Sequence, residues 1–311
     1  MRNYLPAWES HFIAYRPYLV SFAFRMTGSL AEAEELVQDT FIECASINPE
    51  EIKNHKSWLT KICSNKSIDL LKSAYKRRET YIGTWLPDAV PDSFQFWGNL
   101  EEGQSLDRNL IVSESLTTTF LLLAEKLTPE ERVVYILSEV FEYSFKEISD
   151  FLNKSDDALR KTAQRARASI IANQTKFTTS SPDSQNLVVK FFELAKKKDK
   201  TELMELLSSN SEFWADGGGR VSATKVVFKG IDQIARFFGS EMMARIYNSP
   251  ELKIETVSVN SLPGIIISKQ LEDQSWVFDT IMSFEILDGK IARIYSQRNP
   301  DKFEALMSSN R

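Results

Sequence analysis

Residues 143–167 run Tyr143-Ser144-Phe145-Lys146-Glu147-Ile148-Ser149-Asp150-Phe151-Leu152-Asn153-Lys154-Ser155, then Asp156-Asp157-Ala158-Leu159-Arg160-Lys161-Thr162-Ala163-Gln164-Arg165-Ala166-Arg167. The first ten residues read as a short helix and Asn153-Lys154 as a turn, with Ser155 capping a second helix that reaches about Ala172. Ile148, Phe151, Leu152, Leu159 and Ala163 fall on the inward side of both helices and form their shared core. Arg160, Lys161, Gln164, Arg165 and Arg167 fall outward on the second helix, a set suited to base edges and flanking phosphates of a major groove. This is a helix-turn-helix candidate. Many basic helical hairpins bind no DNA, so the rest of the chain has to decide.

N-terminal to it, from about His11 to Tyr81, apolar residues recur at three- and four-residue steps (Tyr15, Leu19, Phe22, Met26; Leu36, Val37, Thr40, Phe41), which predicts an all-helical unit. Gly28-Ser29 breaks the first run, Ser29 and Glu32 have capping-box spacing, and Asn48-Pro49 ends the second helix. Charge is segregated here. Ser29 to Glu51 holds seven acidic residues and no basic one, whereas Lys53 to Arg78 holds eight basic residues against Asp69 alone. Trp58 and Tyr75 lie among these cations, so phosphate-binding charges sit beside rings able to stack on unpaired bases. Two solvated helix faces account for the charges equally well.

The 311 residues carry 38 Lys and Arg against 43 Asp and Glu, a formal charge of −5, so any polyanion contact must be local. With 42% hydrophobic residues the chain can bury more than one core. Cys44 and Cys63 lack disulfide or zinc spacing, and no apolar run is long enough to span a bilayer, which predicts a reduced, cytoplasmic protein with no metal or cofactor. Expected domains are 1–82 (helical), a linker 83–105, 106–176 (helix-turn-helix), a linker 177–184, and 185–311. In the last domain two helices span Ser184 to Leu207 and another spans about Ile231 to Ile246. Strands are expected near Phe213, Val226, Ile254 and Ile265, with a hairpin turning at Asp288-Gly289 after the alternating Trp276, Phe278, Thr280, Met282, Phe284 and Ile286. That is an α+β domain on a curved antiparallel sheet.

Taken together, Ala124-Glu125-Lys126-Leu127-Thr128-Pro129-Glu130-Glu131-Arg132, the helix-turn-helix and Gln164-Arg165-Ala166-Arg167 resemble the promoter-reading domain of extracytoplasmic-function sigma factors. Gly28 to Phe41 (GSLAEAEELVQDTF) is similar to their polymerase-binding segment, and Trp58 to Leu71 with Lys76-Arg77-Arg78 to their promoter-melting segment. The resemblance implies core RNA polymerase, through its large-subunit clamp coiled coil and its flap, and promoter DNA as partners, with no membrane and a monomeric free state. It implies polymerase contacts at Glu32, Glu35, Asp39 and Phe41. It implies DNA contacts at Lys61, Asn65, Lys66, Asp69, Lys72, Lys76, Arg77, Arg78, Ser155, Arg160, Lys161, Gln164, Arg165 and Arg167. Asp69 reads equally as an intrahelical ion-pair partner of Lys66 or Lys72.

Residues beyond Ala172 exceed an ordinary member of that family and resemble SnoaL-like domains, cone-shaped α+β folds that a subgroup carries as an extension. Three local marks carry this: Trp85-Leu86-Pro87-Asp88 in the linker, Asp216-Gly217-Gly218-Gly219-Arg220, and Asn299-Pro300-Asp301-Lys302-Phe303. The extension is expected to regulate rather than catalyse, with the Trp85 segment docked near Asp216 to Arg220 and Asn299 to Phe303 as a latch. Asp216, Asp279 and Glu285 are its only catalytic candidates, Asp279 and Glu285 being expected on the strand face opposite Trp276 and Phe278. A small ligand in its pocket is an open expectation. Two readings compete: a ligand-sensing helix-turn-helix regulator, and a SnoaL-like enzyme with a helical targeting module.

Overall fold

The computed structural model describes residues 4–78, 81–94, 111–173 and 180–309. Contacts divide the chain into two units, Met1–Thr80 with Gln95–Gln174, and Tyr81–Phe94 with Thr175–Arg311.

The first unit is helical. Helix α1 (Glu9–Thr27) and α2 (Leu30–Cys44) meet at Gly28, whose left-handed backbone (φ 69°) lets its N–H close the last turn onto Phe24 O at 2.7 Å. The capping box expected at Ser29 and Glu32 is not formed: Ser29 makes no side-chain cap bond. Thr27 Oγ1 instead accepts from the Ser29 N–H at 3.2 Å, which supplies the break locally. The second helix ends at Cys44, before Asn48-Pro49, and α3 (His55–Arg78) comes next. Leu19, Phe22, Phe24, Met26, Val37 and Leu59 fill the core between the three helices. Burial there pushes the Cys44 and Cys63 thiols each up to about 12.

Helices α4 (Thr118–Ala124), α5 (Pro129–Tyr135), α6 (Phe145–Leu152) and α7 (Asp156–Asn173) complete the unit. Thr128 with Glu131 and Ser144 with Glu147 form capping boxes that start α5 and α6. Asn153 ends α6 in the left-handed region (φ 53°), a conformation asparagine tolerates better than most residues.

The second unit carries α8 (Pro182–Lys197), α9 (Lys200–Leu206), α10 (Ile231–Phe238), α11 (Glu241–Tyr247) and α12 (Pro300–Ser309) on a six-stranded sheet. Its strands are β1 (Leu207–Asp216), β2 (Phe228–Lys229), β3 (Leu252–Val259), β4 (Leu262–Gln270), β5 (Trp276–Leu287) and β6 (Lys290–Gln297), in the order β2-β1-β6-β5-β4-β3. Two expectations are corrected. The sheet is mixed, because β1 pairs with β6 in parallel, a contact that the long excursion between them hides from local reading. The helix expected over Ile231 to Ile246 is broken at Gly239-Ser240, where the Ser240 hydroxyl caps α11. Val226 is exposed and lies outside any strand, two residues before β2. At the β5–β6 turn Asp288 (φ 50°) and Gly289 (φ 72°) adopt the doubly left-handed geometry of a two-residue hairpin.

A bulge sets the geometry of β5. Ile267 pairs with Thr280 and Ser268 with Phe278, leaving Asp279 as the extra residue. The alternation therefore slips by one there. Met282, Phe284 and Ile286 face the core with Phe191 and Phe238, while Phe278 turns to Phe94 and Phe303. Asp279 lies opposite Phe278, as expected, and lines the core-side cavity beside Thr280; the unbroken alternation from Trp276 to Ile286 is what the bulge overturns.

Candidate nucleic-acid interface and linker anchor

On α7 the whole predicted recognition set, Arg160, Lys161, Gln164, Arg165 and Arg167, is exposed, while Leu159, Ala163, Ala166 and Ile170 are buried against the rest of the unit. Ile148 and Phe151 of α6 are buried as expected, whereas Leu152 is half-buried. The exposed Ser155 caps α7 loosely, its Oγ accepting from Ala158 N at 3.4 Å. Arg165 and Arg167 rest on Glu131 (3.4 Å) and Glu139 (2.6 Å), and Arg160 lies over the Phe145 ring at 4.8 Å. Such exposed pairs contribute little and release their cations readily.

On α3, Asn65, Asp69 and Lys72 are exposed, and Lys61 and Lys66 are half-buried. Asp69 pairs with Lys72 at 3.3 Å and Lys66 with Glu43 at 2.9 Å. The side chains of Lys76, Arg77 and Arg78 lie outside the described residues. On α2, Glu35 and Asp39 are exposed and Glu32 is half-buried. Phe41, expected with these acids as a polymerase contact, is buried. It is 4% exposed and meets Phe12 edge-on at 4.5 Å, because its place in the helical repeat points it inward.

The helices on either side of the linker pack together. Arg25, 1% exposed, donates to Ser115 Oγ at 2.7 Å and Val112 O at 3.1 Å, and Arg132 donates to Met26 O at 2.5 Å. The Tyr143 hydroxyl lies 3.0 Å from both Tyr18 Oη and Thr60 Oγ1. The Asn65 amide donates to Phe151 O at 3.4 Å, so a residue with an implied base contact touches the first helix of the helix-turn-helix. Arg25, Arg132 and Tyr143 carry no sequence signal beyond being polar residues in apolar surroundings.

In the second unit the segment 81–94 is held by a buried polar cluster. Asp216, fully buried, accepts from Tyr81 Oη at 2.6 Å, Leu86 N at 3.1 Å, Gly218 N at 2.9 Å and Lys302 Nζ at 3.0 Å. Lys302 also donates to Leu86 O, lies 3.4 Å from Asp88 Oδ1 and sits 4.7 Å above the half-buried Trp85 ring. Asn299 Nδ2 donates to Tyr81 Oη at 3.0 Å, and its Oδ1 accepts from Asp301 N at 3.1 Å, starting α12 behind Pro300. Burial first, then Asp216, pushes the Tyr81 phenol up, so it stays a donor.

The three glycines have steric causes. A Cβ on Gly218 (φ 60°) would stand 2.4 Å from Asn299 Cγ, one on Gly219 (φ 70°) 3.0 Å from Ile82 Cβ, and one on Gly217 2.6 Å from Val221 O. Arg220 reaches the exposed Asp301 at 3.3 Å. Leu86, Pro87, Asp88 and Val90 are buried, and Phe303 is buried edge-on to Phe278. Farther along, Val90 N donates to Asn260 Oδ1 at 2.9 Å, and Asn260 N donates to Val90 O at 3.0 Å. Tyr81, Val90 and Asn260 were not among the predicted residues. An aromatic side chain just before Gly83 was the one available signal.

Family comparisons agree with this geometry. The Sigma-70 region 2 model matches residues 12–77, and the Sigma-70 region 4 model matches residues 118–170. The ECF RNA polymerase sigma factor SigJ of Mycobacterium tuberculosis is 28% identical over 94% of this chain and 92% of its own. The chain belongs to the extracytoplasmic-function sigma factors. The crystal structure of SigJ matches with a TM-score of 0.70 at 25% identity, covering 95% of this chain and 98% of that one. The probable sigma factor SigI of the same organism is 26% identical over 96% of this chain and 94% of its own. As a sigma factor the protein binds core RNA polymerase and promoter DNA, with region 2 spanning α1 to α3, region 4 spanning α4 to α7, and a SnoaL-like α+β domain after them. Among the described residues no helix is long and apolar enough to cross a membrane, and no three His, Cys, Asp or Glu side chains gather as metal ligands.

Proposed function

We propose that the SnoaL-like domain controls this sigma factor in cis by gripping the linker between regions 2 and 4. The observation that carries the reading is the ion pair of Lys302 with the buried Asp216, closed over the backbone of Leu86. Residues 81–94 join α3 to the later helices, so anchoring them removes part of the connection that must reach between two promoter elements. The packing of Arg25, Arg132 and Tyr143 across regions 2 and 4 favours the same closed arrangement. Opening for promoter binding requires both sets of contacts to be exchanged for polymerase and DNA.

In the open form the exposed acids Glu35 and Asp39 of α2, with Glu32, dock on the basic coiled coil of the polymerase clamp, and region 4 meets the flap. Lys61, Asn65, Lys66, Asp69 and Lys72 hold and open the start-site-proximal element, while α7 reads the upstream one through Arg160, Lys161, Gln164, Arg165 and Arg167. The free protein is a monomer, and a small ligand in the C-terminal cavity is the natural input to the switch. A catalytic role for the domain is disfavoured because its three acidic candidates are engaged: Asp216 by the linker, Asp279 by Arg298, and Glu285 by Arg293 at 3.0 Å. Run-off transcription with core polymerase tests the proposal, comparing the full chain, a chain ending at Phe177, and Asp216→Asn. Equal transcript from all three would end the cis-control reading while leaving the sigma assignment intact.

A further inference from the structure

The C-terminal domain encloses a cavity of about 360 Å³, at the lower end of the range of small-molecule sites. Phe213, Phe238, Met243, Ile267 and Met282 give it apolar walls. Its charged groups form one cluster, in which Arg298 Nη2 pairs with Asp279 at 3.2 and 3.3 Å and Thr280 Oγ1 donates to Asp279 at 2.7 Å. Because that pair cancels its own charge, the cavity offers no net charge to a guest.

Further hydroxyls line the wall, among them those of Thr224 and Tyr247. Thr224 Oγ1 is buried without a hydrogen-bond partner, and among the described residues nothing accepts from the hydroxyl of Tyr247, itself 5% exposed. Burial pushes the Tyr247 phenol up, against the pull of Arg298, so it remains a proton donor. A donor with no protein acceptor that opens onto a largely apolar cavity is paired by a ligand acceptor.

We propose that this cavity binds a neutral, mostly apolar small molecule bearing a carbonyl-type acceptor, held by Tyr247, and that its occupancy bears on the linker anchor through Arg298. The second half rests on the cis-control reading. Arg298 ties the two places together: its Nη1 donates to Ser222 O at 2.6 Å, its backbone N–H donates to Asp216 O at 2.7 Å, and its neighbour Asn299 holds Tyr81. Strain on the Asp279–Arg298 pair is thereby transmitted to both ends of the 217–221 turn that supports the anchor.

The probe is the neutral naphthyl ketone 6-propionyl-2-(dimethylamino)naphthalene, titrated into the full chain and followed by its emission. Saturable one-site binding is expected, weakened about fivefold by Tyr247→Phe, which removes one hydrogen bond and little volume. It should be abolished by Ala223→Phe, which fills the cavity, and the anionic 1-anilinonaphthalene-8-sulfonate should bind about tenfold more weakly. Circular dichroism establishes that each variant is folded, and Tyr247→Phe carries the test if Ala223→Phe is not. Absence of saturable binding, binding indifferent to Tyr247→Phe, or preference for the anion would overturn the ligand class. Linkage requires Lys302→Ala to change the ketone's affinity by the coupling factor, about fivefold. An unchanged affinity in that variant overturns the coupling. Transcription without added probe reports on cis control separately, so failure of either idea is distinguishable from failure of the other.

Discussion

Replacing Lys302 by Met keeps most of the side chain's length and removes the charge from the linker anchor. The Lys302 side chain is 12% exposed and its ammonium lies 3.0 Å from Asp216 and 3.4 Å from Asp88, whose side chains are 0% and 7% exposed. Breaking a buried pair by deleting one partner costs roughly 3–5 kcal/mol. Asp216 keeps Tyr81 Oη, Leu86 N and Gly218 N as donors, which places the expected cost near the bottom of that range, about 3 kcal/mol. Against this stand the burial of Leu86 and Val90, worth about 1.5–3 kcal/mol each, and the mutual bonds of Val90 and Asn260, all untouched. The segment should therefore stay docked in most molecules but open more often, by roughly two powers of ten. Native-state hydrogen exchange reads this directly, since the Leu86 amide is bonded to Asp216 and the Val90 amide to Asn260. Both amides should lose about 100-fold in protection, while those in the β5–β6 hairpin should not change. Leu86 and Val90 protection within about threefold of the unmodified chain would show that Lys302 does not hold the linker, and the reasoning would fail.

Arg25→Met should lower the stability of the helical unit by about 2–3 kcal/mol, because Ser115 and Val112 lose a buried charged donor; urea unfolding measures it, and an unmoved midpoint refutes the assignment. Acid should weaken the same unit through the imidazole of His11, whose ring stacks on that of His55 at 4.0 Å. Burial, then His55, holds His11 below its ordinary value, so the unfolded chain takes up the proton first. Stability present above about pH 6.5 is therefore lost as pH falls through the depressed folded value, and His11→Gln should flatten the dependence of the melting temperature between pH 7.5 and 5. An identical slope in that variant would exclude His11 as the source.

Legibility tracked sequence range. The helix-turn-helix could be read because each of its determinants is local: the capping box at Ser144 and Glu147, the turn at Asn153, and an apolar period that buries Ile148, Phe151 and Leu159. The Asp288-Gly289 hairpin was readable for the same reason. Phe41 is buried because the helical period of α2 points it inward, a placement that comes from the repeat and not from the motif. Phe278 shows a limit. The alternation put it on the face of Met282 and Phe284, but a one-residue bulge against β4, a property of strand pairing invisible in β5 alone, turns it away.

By itself the sequence determined the helical character of the two segments flanking the first linker, the second helix of the helix-turn-helix with its exposed cations, the α+β nature of the C-terminal remainder, and three short segments that needed partners. Helical periods, caps and two-residue turns are settled by neighbours within a few residues, where chain connectivity makes the contact nearly free of entropy cost. Only the tertiary structure decided that Lys302 closes over Asp216 and Leu86, that β1 lies parallel to β6, and that Arg25, Arg132 and Tyr143 join regions 2 and 4. Those contacts bridge long stretches of chain, 216 residues between Lys302 and Leu86, and no local propensity selects them. They exist because burying the surrounding apolar surface leaves each of those charges and hydroxyls with few available partners.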